Sequence, residues 1–144
     1  MLPARLPDSR EIAALAAEVI PEAWSAEQLA AEIAMPEGCV RVARAGAGAL
    51  VGFLVARRVL SELHVLLLGV APAVRRAGVG SALVRHALAE VPVPERCLLE
   101  VREGNAGARA FYRRLGFREE GRRPGHYAGG EAAVLMSRSG APRG

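Results

Sequence analysis

The stretch that most constrains this chain is residues 68–83, Leu-Gly-Val-Ala-Pro-Ala-Val-Arg-Arg-Ala-Gly-Val-Gly-Ser-Ala-Leu. An apolar run ends at Val70, Pro72 breaks it, and Arg75 and Arg76 follow. Gly78 and Gly80 then open a segment whose apolar residues Val79, Leu83 and Ala87 recur at helical spacing. The pattern is a strand, a turn and a helix start. A glycine-rich loop feeding a helix presents unpaired backbone N–H groups, lets a phosphate come close, and carries the positive end of the helix dipole. Arg75 and Arg76 would add charge-assisted hydrogen bonds to a pyrophosphate lying there. The spacing is neither the three-glycine dinucleotide fingerprint nor a Gly-Lys-Ser/Thr phosphate loop. Taken alone, it fits an ordinary strand-to-helix turn as well as an anion cradle.

The rest of the chain sets the frame for that loop. Its 144 residues, 51% of them hydrophobic, suit one α/β domain with one core. Residues 1–138 are expected to form that domain and residues 139–144 a loose tail. Apolar runs stay short of the roughly 18 residues that a membrane span needs, and the N-terminus lacks the apolar centre of a signal peptide, so a cytoplasmic protein with no membrane partner is expected. Cys39 and Cys97 have no metal-ligand spacing, so buried free thiols and no metal are expected. The net charge of +4, carried by 19 arginines and no lysine, suits an anionic ligand, a nucleic-acid neighbour or plain solvation.

Taken in order, residues 4–7 read as a short edge strand and residues 9–19 as a helix with Ile12, Leu15, Ala16 and Val19 on one face, stopped at Pro21. A second helix starts at Ser25, where Ser25 and Gln28 make a capping box, and ends at Pro36 and Gly38. Residues 39–45 and 49–60 form a hairpin about Gly46-Ala47-Gly48, and residues 61–70 a strand apolar enough for the sheet's centre. A helix over 78–90, a strand over 96–102, a helix over 105–115 closed by Gly116, and strands over 117–120 and 132–137 follow. This order describes a mixed α/β domain around one sheet.

Residues 98–117 carry a second motif, Leu-Leu-Glu-Val-Arg-Glu-Gly-Asn-Ala-Gly-Ala-Arg-Ala-Phe-Tyr-Arg-Arg-Leu-Gly-Phe. It resembles the GNAT acetyltransferase pattern Leu-Glu-Val-Arg-x-x-Asn-x-x-Ala-x-x-hydrophobic-Tyr-x-x-x-Gly-Phe. The loop at Arg75-x-x-Gly78-x-Gly80 resembles the acetyl-CoA loop of the same superfamily, Arg/Gln-x-x-Gly-x-Gly/Ala. Trp24-Ser25, Cys39, Val51-Gly52-Phe53 and the run from Leu98 to Arg102 are similar to the RimI type, the ribosomal-protein-alanine N-acetyltransferases, over most of the chain from Trp24 to Met136. The resemblance implies an acyl-CoA N-acyltransferase fold, a central and mostly antiparallel sheet flanked by helices. It also implies direct acetyl transfer from acetyl-CoA to an amine.

The site residues follow from that resemblance. Backbone groups of Leu68, Gly69 and Val70 would pair with the pantetheine arm, with the Val70 N–H aimed at the thioester oxygen. Arg75, Arg76, Ala77, Gly78, Val79, Gly80 and Ser81 would hold the pyrophosphate. Asn105 would cap its helix, touch the cofactor, or both. Tyr112 would be the general acid beside the sulfur, and Glu100 the base, its carboxylate tuned by burial in an apolar strand; a half-buried core tyrosine and an ion pair between Glu100 and Arg102 are the plain structural alternatives. Trp24, Glu62, His64, His126 and Tyr127 would meet the acceptor.

Departures from the RimI pattern fall on the acceptor side. The type tends to carry Glu-x-Glu where this chain has Glu62 and His64, two tyrosines where it has His126-Tyr127, and aspartate where it has Ala132. Period-two alternation would put Glu62, His64, Leu66, Leu68 and Val70 on one face, so His64 competes with Glu100 as base. An α-amine, with a reference pKa of about 7.7–8.0 against about 10.4 for lysine, needs only a modest base, which favours a protein N-terminus as acceptor; the RimI resemblance implies that of a ribosomal protein. The alternatives are a small-molecule amine, a lysine side chain, and a non-catalytic module whose basic loop holds nucleic acid.

Overall fold

The computed structural model describes residues 1–20, 24–75 and 77–139. Its centre is one sheet of seven strands in the order β1-β2-β3-β4-β5-β7-β6. The strands are β1 (Leu2–Pro3), β2 (Gly38–Arg44), β3 (Leu50–Val59), β4 (Glu62–Val70), β5 (Arg96–Arg102), β6 (Arg118–Arg123) and β7 (Ala133–Ser139). Every neighbouring pair is antiparallel except β4 and β5. The helices are α1 (Ser9–Val19), α2 (Ala26–Ala34), α3 (Val79–Ala89) and α4 (Ala106–Arg114). Among the described residues no helix is long and apolar enough to cross a membrane.

Local chemistry accounts for the element ends. Ser25 Oγ accepts from the Gln28 N–H at 3.1 Å while Gln28 Oε1 accepts from the Ser25 N–H at 2.8 Å, the reciprocal box that starts α2. Gly116, at φ +92°, closes α4 in a conformation that L side chains resist. The first strand departs from expectation. Residues 2–3 pair with β2, and residues 6–8 form a short 3-10 turn because Pro7 begins it and the Asp8 carboxylate accepts from the Arg5 N–H at 2.7 Å. Ser139, expected in a loose tail, is paired with Arg96 at the end of β7. Pro21, Arg76 and residues 140–144 lie outside the described residues.

Two cores lie on opposite faces of the sheet. α1 and α2 cover one half of one face, where Ile12, Leu15 and Leu29 pack on Val40, Val42, Phe53 and Val55. The buried Glu32 carboxylate pairs there with the Arg57 guanidinium. α3 and α4 cover the other face with Leu83, Val84, Leu88, Tyr112 and Leu115 on Leu54, Leu63, Leu99, Val101 and Met136. The first face is therefore bare of helices beyond β4. Cys39 and Cys97 are free and buried, and burial pushes the Cys97 thiol up to about 12.

Candidate active site

The site exists because β4 and β5 part company. They pair from Glu62↔Arg96 to Val65↔Leu99 and no further. Beyond that point β5 continues along β7 and β4 continues along β3. A bulge at Leu66 marks the divergence, since Val55 faces Leu67 while the adjacent Ala56 faces Val65. The β5-facing backbone edge of β4 from Leu66 to Val70 has therefore lost its ladder partner, which leaves polar groups available to an extended ligand.

The same bulge corrects the alternation read from the sequence. Glu62 and His64 sit on the face shared with Arg57, the side of α2, whereas Leu68 packs into the core under α3 and α4. One extra residue at Leu66 flips the strand's parity, so His64 and Leu68 occupy opposite faces.

On the α3/α4 face lies a cleft of about 700 Å³. Its lining includes Leu68, Gly69, Val70, Arg75, Gly78, Val79, Gly80, Ser81 and Asn105. Gly78 takes φ +80° at the start of α3, and no side chain caps that helix. The first N–H groups of α3 are thus free to meet an anion. Gly80 is small for a reason: a Cβ there would come 3.3 Å from the Phe111 ring of α4. Asn105 caps α4, its Oδ1 accepting from the Ala108 N–H at 3.0 Å, and the residue also lines the cleft. Of the expected cofactor residues, Ala77 and Tyr112 are absent from the lining, and Arg76 lies outside the described residues. The residues Val19, Val74, Gly107, Ala108, Phe111 and Arg114 were not foreseen. For Ala108, Phe111 and Arg114 the signal was the three-residue spacing from Asn105, which places them on one stripe of α4.

Tyr112 lies one position off that stripe. It is buried, with edge-on ring contacts to Phe111 at 5.0 Å and Phe117 at 5.4 Å between centroids. Burial, and then the Cys97 thiol, push its phenol well above the ordinary tyrosine value, so it holds its proton. No buried side-chain oxygen or nitrogen among the described residues lacks a partner.

A second cleft, about 510 Å³, opens on the other face between His64, Leu66, Leu98, Glu100, Arg123, His126 and Leu135. Here Glu100 Oε1 lies 3.1 Å from Arg123 Nη2, and its Oε2 lies 3.1 Å from His126 Nε2. Arg102 meets Glu131 at 3.1 Å and stacks 4.2 Å from the Tyr127 ring centroid. Glu100 is not enclosed in apolar surroundings; it is partly exposed and flanked by two basic groups. His64 Nε2 lies 3.1 Å from Glu62 Oε1, and Glu62 also meets Arg96 at 3.3 Å. Trp24 belongs to neither cleft and packs against the α1/α2 core.

A polar latch joins the two sides. Glu131, ahead of β7, accepts from the Gly104 N–H at 2.9 Å beside the cap of α4, as well as from Arg102. Those two donors, the Gly104 N–H first, hold its carboxyl below the usual carboxylate range. Arg122 of β6 pairs with Glu103 in the same loop.

Comparison with known proteins bears on the family and the fold. The model of the acetyltransferase (GNAT) family matches residues 9–117. Over 95 residues the chain is 35% identical to the [ribosomal protein bS18]-alanine N-acetyltransferase of Escherichia coli K12, covering 62% of this chain and 64% of that one. Over 77 residues it is 40% identical to an N-alpha-acetyltransferase of Sulfurisphaera tokodaii, covering 51% and 46%. The chain thus spans about half to two thirds of these curated relatives' length. The crystal structure of the ribosomal-protein-S18-alanine N-acetyltransferase from Escherichia coli superposes with a TM-score of 0.87 at 26% identity, covering 99% of this chain and 94% of that one. Arabidopsis thaliana NAA60 in complex with acetyl-CoA shares the fold, with a TM-score of 0.83 at 21% identity over 96% of this chain and 97% of that one.

Proposed function

The chain belongs to the acetyltransferase (GNAT) family, and from that premise we propose that it moves the acetyl group of acetyl-CoA onto the N-terminal α-amine of a protein, with a ribosomal protein as the acceptor its curated relatives suggest. The observation that carries this reading is the parting of β4 and β5, which leaves one cleft on each face of the sheet. What supports acetyl-CoA is the fit of the cleft on the α3/α4 face. It offers an unpaired strand edge for an amide-rich arm and a glycine-opened helix start with Arg75 for a diphosphate.

Bound acetyl-CoA supplies the activated thioester carbonyl. The chain's residues then divide the remaining work. Leu68, Gly69 and Val70 orient the pantetheine as an added strand would, and the Val70 N–H donates to the thioester oxygen as its charge grows. Glu100 takes a proton from the acceptor amine, directly or through a water, with His64 as the competing base in the same cleft. Tyr112 donates its phenolic proton to the departing sulfur. Glu62, His126 and Tyr127 frame the acceptor's approach.

Mass spectrometry of N-terminal peptides, lysine peptides and small amines incubated with acetyl-CoA tests the acceptor. Acetylation at peptide α-amines is expected, and acetylation confined to small amines would overturn the protein acceptor. Absence of acetyl-CoA binding, together with salt-sensitive RNA binding, would instead support a nucleic-acid module.

A further inference from the structure

Arg114 is the feature of the cleft that this reading does not use. Around it the arginines of α4 and its neighbours are engaged: Arg109 and Arg113 both meet Glu119, Arg122 meets Glu103, and Arg138 donates to the Leu115 carbonyl. Arg114 is exposed and has no acidic partner among the described residues, yet it lines the cleft. Its position there is fixed by packing. Phe111 rests against Gly80 in the first turn of α3, so the next turn of α4, carrying Arg114, is held beside the helix start that faces the cleft.

The cleft therefore presents anion-binding groups on two walls. One wall has the free N–H groups of α3 with Arg75, and the other has Arg114. Backbone donors at a helix start suit a bridging diphosphate, which needs several short contacts along its length. A lone guanidinium on a side chain suits a separate monoester, which it can meet with two parallel hydrogen bonds. Coenzyme A carries both groups, a diphosphate and a phosphate on the ribose 3′ position.

We propose that Arg114 recognises the ribose 3′-phosphate and so makes this protein discriminate coenzyme A from its 3′-dephospho form. The inference rests on the acetyl-CoA reading above and deepens it by assigning a residue that selects the nucleotide. Isothermal titration of coenzyme A and 3′-dephospho-coenzyme A against the wild type, Arg114→Gln and Arg75→Gln tests it without recourse to turnover. The wild type should bind coenzyme A about tenfold more tightly. In Arg114→Gln that ratio should fall to about one, because only the phosphorylated ligand loses a contact. In Arg75→Gln both affinities should fall together with the ratio kept. Thermal melts of the variants should match the wild type, since both side chains are exposed. An unchanged ratio in Arg114→Gln, equal binding of both ligands by the wild type, or a ratio abolished by Arg75→Gln instead would overturn the assignment. If neither nucleotide binds the wild type, the acetyl-CoA reading itself fails.

Discussion

The two faces of the sheet at the parting of β4 and β5 are built from different materials. On the α3/α4 face the cleft is made of backbone: the free edge at Leu68 to Val70, the left-handed Gly78, and the small Gly80 against Phe111. On the opposite face it is made of charged side chains from strands far apart in sequence, with Glu100 between Arg123 and His126, and His64 against Glu62. Backbone recognition depends on shape and tolerates little change in side-chain size. Side-chain recognition depends on pairings that a single substitution can rewire. A fold arranged this way can keep one cofactor and change its acceptor.

The comparison breaks most sharply at the chemistry. Under the proposed mechanism, Tyr112→Phe removes a proton donor on the α3/α4 face, while Glu100→Gln removes a proton acceptor on the other. Tyr112→Phe should lower kcat by ~10²-fold or more, about 2.7 kcal/mol of barrier, and leave acetyl-CoA affinity nearly intact. Glu100→Gln should lower kcat/KM for the acceptor. Steady-state kinetics read both. Unchanged turnover in Tyr112→Phe would take the phenol out of the mechanism, and unchanged kcat/KM in Glu100→Gln would pass the base role to His64.

A stability measurement separates the packed end of β4 from its open end. A Cβ on Gly69 would fall 2.5 and 2.6 Å from atoms of the Phe53 ring, which is fully buried. Such a ring has no room to yield, so Gly69→Ala should cost about 1–3 kcal/mol in urea unfolding. His64→Ala, on the same α1/α2 side of β4 but at its open end and partly exposed, should change stability by less than about 0.5 kcal/mol. Equal losses at the two positions would mean that β4 is packed no more tightly beneath α1 than at its open end.

This difference in material also explains what could be read in advance. The α3/α4 face is local in sequence, so the two motifs at 75–80 and 98–117 and the helix boundary at Asn105 were legible from glycine positions, a capping residue and spacing. The opposite face is not local. Nothing in the letters joins Glu100 to Arg123 and His126, because strand order, with β7 between β5 and β6, decides those contacts. The bulge at Leu66 was invisible for a related reason: period-two counting assumes an unbroken strand, and one inserted residue reverses every side chain beyond it. Arg114 stood in a basic pair that reads as solvated surface until Phe111 and Gly80 are seen to dock α4 against α3.

The smallest effect concerns the latch that ties the faces together. The Gly104 N–H, and then Arg102, hold the Glu131 carboxyl below its ordinary value. A carboxylate depressed on folding contributes fully above its unfolded pKa of about 4.3, and that contribution is lost as pH falls through the lower folded value. Protection of the Gly104 amide in hydrogen exchange should therefore be constant above about pH 5 and decline below about pH 4, relative to amides in β3. Glu131→Gln should flatten that decline while reducing protection at neutral pH. Because Gly104 adjoins the Asn105 cap and Glu131 follows the acceptor loop that carries Tyr127, loosening this contact should raise KM for both substrates modestly and together. An effect on one KM alone would show that the latch serves a single face and that the two clefts are held independently.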